Sequence, residues 1–225
     1  MGVFRNLSIV IPVGPGDESW RKLVAELVES GINAEIILCA STDQPGDIDF
    51  PAHVEWIVTS QGRAGQLNVG ANQSSRRFIW FVHADTCLTA SALTVVNHYL
   101  QSDKRILGYF RLRFASDGPW QTHLNALAAN IRSRLFDLPF GDQGLIMHKS
   151  LFEQVDGFDE NLVLGEDLDF VVRVKAAGFQ LVQLPAELVT SARRYQQQGW
   201  LPTTMRHVWL TWSLTRQARQ RIRFA

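Results

Sequence analysis

Apolar residues along this chain fall into short runs near its start and into helical spacing between them. Leu7-Ser-Ile-Val-Ile-Pro-Val13 is a β-branched run that ends in the turn Gly14-Pro-Gly16. Beyond it Trp20, Leu23, Val24, Leu27 and Val28 recur at the period of a helix, which Gly31 closes. Glu35 to Ala40, Val54 to Val58 and Arg77 to Val82 read as three further buried strands, with an Ala/Asn/Gly-bearing helix between the last two. Strands alternating with helices predict a mostly parallel sheet covered on both faces. Ligands in such sheets sit at the carboxyl ends of the strands, so Gly14, Asp43, Gly62 and His83 to Asp85 are expected on one rim. From Ile106 the pattern predicts a strand to Phe114, a helix from about Trp120 to Phe136, a Gly-rich loop at Gly141 and a strand at Leu145 to Met147. A helix-rich section follows from Glu166. With no repeat, low-complexity stretch or linker, the expectation is one domain over 1–225, closed by a basic amphipathic helix at about 200–222.

Composition is that of an ordinary globular chain, at 46% hydrophobic and 20% charged residues. No window is apolar enough to span a bilayer, and the N-terminus shows neither a cleavable signal nor, with Asn6 where Ser or Thr is required, a myristoylation pattern at Gly2. The expected location is therefore cytoplasmic, and Cys39 and Cys87 are expected as reduced core residues. The net charge of zero hides an asymmetry: every acidic residue lies at or before Glu187, while seven arginines follow it. The body thus carries −7 and the tail +7, which disfavours nucleic acid as a partner of the body and leaves the tail either a solvated helix end or a surface for phosphate or anionic lipid.

Four segments hold candidate chemistry. In Phe81-Val-His-Ala-Asp-Thr86 an apolar strand ends in polar residues, and Asp85 is either a hard oxygen ligand for Mg²⁺ or Mn²⁺ or the cap of a helix starting near Thr89. His83 is read there as a hydrogen-bond partner rather than a ligand. Gly62-Arg-Ala-Gly-Gln-Leu-Asn-Val-Gly70 places Arg63, a forked donor, at a helix start; its small residues equally suit tight helix packing. Leu164-Gly-Glu-Asp-Leu-Asp-Phe170 gathers three carboxylates at a helix N-terminus, where a capping role competes with that of a general base. Gly141-Asp-Gln-Gly144 is a tight polar loop, either an ordinary turn or a wall beside an acceptor.

In this order, and together with Ser8-Ile-Val-Ile-Pro12, Ser41-Thr-Asp43, Gly157-Phe158 and Ser191-Ala-Arg-Arg194, these segments resemble the family-2 glycosyltransferases, in particular a small bacterial subgroup with His-Ala-Asp in place of Asp-x-Asp. The resemblance covers nearly the whole chain. It implies an α/β GT-A fold with a mixed, mostly parallel sheet flanked by helices, a nucleotide-diphosphate sugar donor, Mn²⁺ or Mg²⁺, and inversion at the sugar carbon. It further implies that Asp85 holds the metal, and that Pro12, Asp43, Arg63, Asn68, His83, Ala84, Asp85, Arg193 and Arg194 form the donor side. On the acceptor side it places Gly141, Asp142, Gln143 and Glu166, with Asp167 as the base. The sequence departs from the pattern after the first strand, where Gly14-Pro-Gly16 replaces Asn-Glu, and at Leu38-Cys39, where an Asp is usual. A non-catalytic sugar-nucleotide-binding module and a sugar nucleotidyltransferase are the competing readings.

The tail adds a stripe at Leu201, Met205, Val208, Trp209 and Trp212. Packing on its own domain is the more economical expectation for such a stripe; contact with a membrane carrying a lipid-linked acceptor is the other.

Overall fold

The computed structural model describes residues 3–60 and 62–224; Gly2, and the side chain of Arg223 in the basic tail, lie outside what it describes. Strands β1 (Leu7–Val13), β2 (Glu35–Ala40), β3 (Val54–Val58) and β4 (Phe78–Phe81) pair in parallel in the order β3-β2-β1-β4. Their apolar runs have a direct cause, because both faces of this half-sheet are covered. Leu7, Ile9, Ile11 and Val13 of β1 pack with Trp20, Leu23 and Leu27 of helix α1 (Trp20–Glu29). Val10 points the other way, to Leu67 and Ala71 of helix α2 (Arg63–Gln73). The alternation repeats in β4, with Trp80 on the first face and Ile79 on the second.

Helix α2 lies unusually close to the sheet. A Cβ on Gly70 would collide with Val10 and stand 2.9 Å from Cys39 Sγ, so the small residues at the end of the Gly62–Gly70 segment serve packing. Cys39 is buried as expected, whereas Cys87 is only half-buried and accepts a contact from Lys22 Nζ at 3.4 Å, which corrects its reading as a core residue.

The rest of the sheet is mixed. Strand β5 (Thr86–Cys87) and helix α3 (Ala90–Ser102) follow β4; Thr89, not Asp85, caps α3, accepting from the Ala92 amide. Strand β6 (Ile106–Phe114), helix α4 (Thr122–Phe136), a 3-10 turn at Gly141–Gln143 and strand β7 (Leu145–His148) come next, and β7 pairs antiparallel with β4. Helices α5 (Lys149–Gln154) and α6 (Glu166–Ala176) lead to strand β8 (Gln180–Thr190), which runs parallel to β6 and antiparallel to β5.

The expectation of a helix-rich section from Glu166 onward is corrected by β8, the longest strand. Its polar residues and Pro185 mask it, yet Pro185 falls in the register irregularity between the pairs Tyr109/Gln183 and Arg111/Glu187, where the ladder needs no proline N–H.

Helices α7 (Arg193–Gln198) and α8 (Trp200–Phe224) complete the fold. Helix α8 rests on α6 through Leu214, which abuts Gly165, and through Ala218, buried with Leu138, Leu168 and Val172. Its apolar stripe does not pack on the domain as the economical reading expected. Met205, Val208, Trp209 and Trp212 stay 62–65% exposed, because the inward face of α8 is made of other residues, among them Thr203 and Thr215. Among the described residues no helix is long and apolar enough to cross a membrane.

Candidate active site

The parallel strands end at a crevice beside β1 and β4. The last pair between them joins Val10 to Phe81, so Pro12 and Val13 run on beyond β4, with Pro12 paired only to Cys39 of β2. Such a reversal point in strand order opens a cleft at the strand ends. Three chain segments arrive there: the turn after β1 and the residues after β4, each ending a fully buried strand, and the first turn of α2.

Arg63 is the hub. Its Nη2 meets His83 Nε2, and its Nε lies 3.3 Å from Glu166 Oε1. His83 can accept from a guanidinium only as a neutral ring. Its pKa is pushed well below the ordinary value, first by burial and then by the charges of Arg63 and Arg194. The hydrogen-bond role expected for His83 is therefore the one its surroundings favour, and its Nε2 lone pair is not free for a metal.

Gly141 is wedged against the same group. A Cβ there would strike Arg63, stand 2.9 Å from His83 Nε2 and 3.2 Å from Asp167 Oδ2. Its amide N–H donates to Asp167 Oδ2 at 2.7 Å, so the 3-10 turn aims the aspartate. Gly165, at φ 85°, starts α6 without a side-chain cap, and the acidic triplet beyond it divides. Asp169 pairs with Arg173 at 2.8 Å, away from the cleft. Glu166 and Asp167 face Arg63 and Gly141. Burial, with Asp167 as a like-charged neighbour, raises the Glu166 pKa against the pull of Arg63.

Asp142 continues this wall. Its Oδ1 is buried without a hydrogen-bond partner, as is Nη2 of Arg132, whose guanidinium stacks 3.6 Å over the Phe140 ring. Burial lifts the Asp142 carboxyl to about 6, with Asp167 and Asp85 adding to the rise and Arg132 and Arg63 opposing it. Two unsatisfied, oppositely charged groups beside a cleft are groups that a polar ligand would satisfy. The raised pKa carries a stability consequence. In the unfolded chain the carboxyl ionises near its ordinary value and in the folded chain only near 6, so stability falls as pH rises through that window. Asp142→Asn is expected to raise the melting temperature at pH 8, by the equivalent of about 3 kcal/mol at most, and to leave it unchanged near pH 3. A thermal scan at both pH values checks this.

A second group gathers Asp85, Asp17 and Arg193, while the charge of Arg194 bears on His83. Asp85 accepts from the Thr190 hydroxyl at 3.2 Å, and its pKa is raised by burial and by Asp17 against the pull of Thr190 and Arg193. Arg193 Nη2 reaches Asp17 Oδ1 at 3.2 Å, joining the start of α7 to the turn after β1. Burial works against the Asp17 carboxylate, but Ser19 and Arg193 hold its pKa below the ordinary value. Among the described residues no three His, Cys, Asp or Glu side chains form a metal cluster. A single half-buried carboxylate still fits a hard cation that draws its other ligands from phosphate oxygens and water, as Mg²⁺ characteristically does.

Several expected site residues are placed elsewhere. Asn68 is fully engaged with the loop after α5: its amide nitrogen donates to Phe158 O and Glu160 Oε1, both at 2.8 Å, and its oxygen accepts from the Phe158 amide. Gln143 is wholly buried, holding Ser133 Oγ at 2.6 Å and Phe110 O at 3.0 Å, so it presents nothing to an acceptor. Ala84 is buried in the core on the α1 side. Asp43 lies exposed past the end of β2, on the rim but outside the Arg63 cluster. Conversely, sequence reasoning overlooked Asp17 and Arg132. A polar residue just past the turn that ends β1 was a usable signal for Asp17; Arg132 had none, being one basic residue among several on a helix.

The family model described as "Glycosyltransferase like family 2" matches residues 46–217. No curated protein matches the chain. Among solved structures, TarS 1-349 of S. aureus is similar with a TM-score of 0.63 at 17% identity, over 83% of this chain and 60% of that one. TarS 1-349 in complex with UDP-GlcNAc gives 0.60 at 15% identity, over 83% and 58%. The mannosyltransferase PcManGT from Pyrobaculum calidifontis, in complex with GDP-Man and Mn²⁺, gives 0.60 at 13% identity, over 82% and 56%. The chain thus spans less than two thirds of each of these proteins, and at such identities the likeness is one of fold: the mixed sheet flanked by helices is that of GT-A transferases.

Proposed function

Since the chain belongs to the glycosyltransferase-like family 2, we propose that it transfers a sugar from a nucleotide-diphosphate sugar to a hydroxyl acceptor, with inversion. The observation that carries this reading is the presence of two groups at the cleft. Glu166 and Asp167 join Arg63 and Gly141 in one, and Asp85 joins Arg193 and Asp17 in the other. A displacement needs a base at the attacking oxygen and charge neutralisation at the leaving one.

Asp167, oriented by the Gly141 amide, takes the proton of the acceptor hydroxyl as its oxygen attacks the anomeric carbon. Glu166 stays paired with Arg63 and lines the acceptor side with Asp142. The bond from the sugar to the diphosphate breaks, and Arg193 and Arg194 hold the departing charge. Bound at Asp85, Mn²⁺ or Mg²⁺ would supply further neutralisation of that charge. Arg63 and Asp43 are assigned to the nucleoside and diphosphate, and Pro12 to the backbone that walls the donor cleft. We assign the chain to the subgroup with His-Ala-Asp in place of Asp-x-Asp on His83-Ala-Asp85, with 1–225 as one domain that α8 closes. UDP-GlcNAc and GDP-Man, bound by the similar structures, head the donors to be tried.

The test is nucleotide release from UDP-, GDP- and TDP-sugars with Mn²⁺, Mg²⁺ or EDTA. Release from one donor that needs a metal, and that falls at least about a hundredfold in Asp85→Ala, is expected. Metal-dependent binding of a donor without turnover by any acceptor would instead leave a non-catalytic module. Pyrophosphate release from a nucleoside triphosphate and a sugar phosphate would replace the transferase with a nucleotidyltransferase.

A further inference from the structure

Helices α4 and α8 run side by side on the surface. Asn125 Nδ2 donates to Thr204 Oγ1 at 2.9 Å near one end, and at the other a groove of about 730 Å³ lies between Phe136 and Leu138 on one side and Trp212 and Thr215 on the other. Each helix turns an apolar stripe outward. On α4 it is Leu124, Leu127, Ile131 and Leu135, between 47% and 68% exposed; on α8 it is the stripe from Leu201 to Trp212. Helical spacing of large apolar residues on an outer face is the opposite of what burial in the domain would produce.

The charges around these stripes are of one sign. Neither helix contains an Asp or Glu, while Arg134, Arg206, Arg216 and Arg219 are exposed and form no ion pair among the described residues. Arg216 sits 5.7 Å from the Trp212 ring, keeping its charge beside the stripe. Asp137, which lines the groove, is already paired with Lys175 at 2.5 Å.

We infer that the α4/α8 face docks on a membrane surface bearing anionic lipid headgroups, with the apolar stripes entering the headgroup boundary and the arginines meeting the phosphates. Tryptophan beside arginine suits that boundary, where one end of a side chain is apolar and the other wet. A second copy of the chain fits less well, because two such faces set against each other bring arginine to arginine with no carboxylate on either helix to answer it. The 3-10 turn that positions Asp167 follows α4 within a few residues, and the helix carrying Asp167 rests on α8, so a docked protein would hold its cleft close to the bilayer. This inference goes beyond the transferase reading and does not need turnover to be tested.

The experiment is co-sedimentation of the full chain with vesicles of phosphatidylcholine alone or mixed with phosphatidylglycerol, at low and high salt, beside light scattering without lipid. The chain is expected to sediment with the mixed vesicles and to be released by salt. Trp209→Glu and Leu127→Glu should each weaken binding roughly tenfold or more while leaving nucleotide release from a soluble donor and the circular dichroism spectrum unchanged. Arg206→Glu should abolish the preference for phosphatidylglycerol. Absence of sedimentation with either vesicle, or sedimentation indifferent to these substitutions, would overturn the inference. A dimer in light scattering that Trp209→Glu converts to monomer would assign the face to contact between copies instead.

Discussion

Asp167→Asn is expected to reduce transfer about a hundredfold to ten-thousandfold while leaving donor affinity and folding intact. Asparagine keeps one acceptor oxygen, enough to anchor the turn through the Gly141 amide, and gives up only the contact from the neighbouring Leu168 amide to the other oxygen. What is lost is the ability to take a proton. Initial rates of nucleotide release, set beside donor binding by calorimetry and a thermal scan, separate these effects. A rate within about threefold of the native protein would remove Asp167 as the base. A parallel loss of donor affinity would instead assign it to the donor side.

The largest loss of stability is expected at Arg63. Its Nε faces Glu166, a carboxylate only 8% exposed, and its Nη2 faces a neutral, half-buried His83. Arg63→Met leaves Glu166 buried and unpaired next to Asp167. Breaking a fully buried pair costs roughly 3–5 kcal/mol; Arg63 keeps 36% of its side chain in water, so about 2 kcal/mol is the expected loss near neutral pH. The sign of its pH dependence follows from Glu166. Its folded pKa already stands above the ordinary value, and removing Arg63 removes the charge that restrains it. Stability of the variant should therefore match the native protein in acid and fall progressively behind as pH rises through the range where Glu166 ionises. Glu166→Gln in the same chain should restore most of the loss, because the charge left without a partner is gone. A double-mutant cycle from urea unfolding at pH 4 and pH 8 measures the coupling. A loss equal at both pH values, and not rescued by Glu166→Gln, would mean that Arg63 acts through packing alone.

The acidic triplet shows where local sequence and tertiary structure part. Three carboxylates after a glycine satisfy a helix N-terminus electrostatically wherever that helix lies, so capping and catalysis look alike from spacing. Only the placement of Arg173 one turn on, and of Arg63 and Gly141 from distant segments, sends Asp169 away from the cleft and Glu166 with Asp167 into it. Asn68 and Gln143 make the complementary point. Both are polar residues in glycine-bearing segments, and nothing local tells whether an amide faces a ligand or, as here, the backbone of a loop 90 residues away or of a strand 33 residues away.

By itself the sequence determined the parallel half of the sheet and the rim on which its polar residues emerge. The period of burial is written into β1, β2 and β4, since a strand covered on both faces must be apolar throughout and must end where polar residues begin. The tertiary structure alone decided the pairing of β8 with β6, the outward turn of the α8 stripe and the seating of Arg132 over Phe140 beside Asp142. Periodicity states which side chains avoid water, whereas the partner that covers a strand edge, a helix face or a charge is supplied by residues far along the chain.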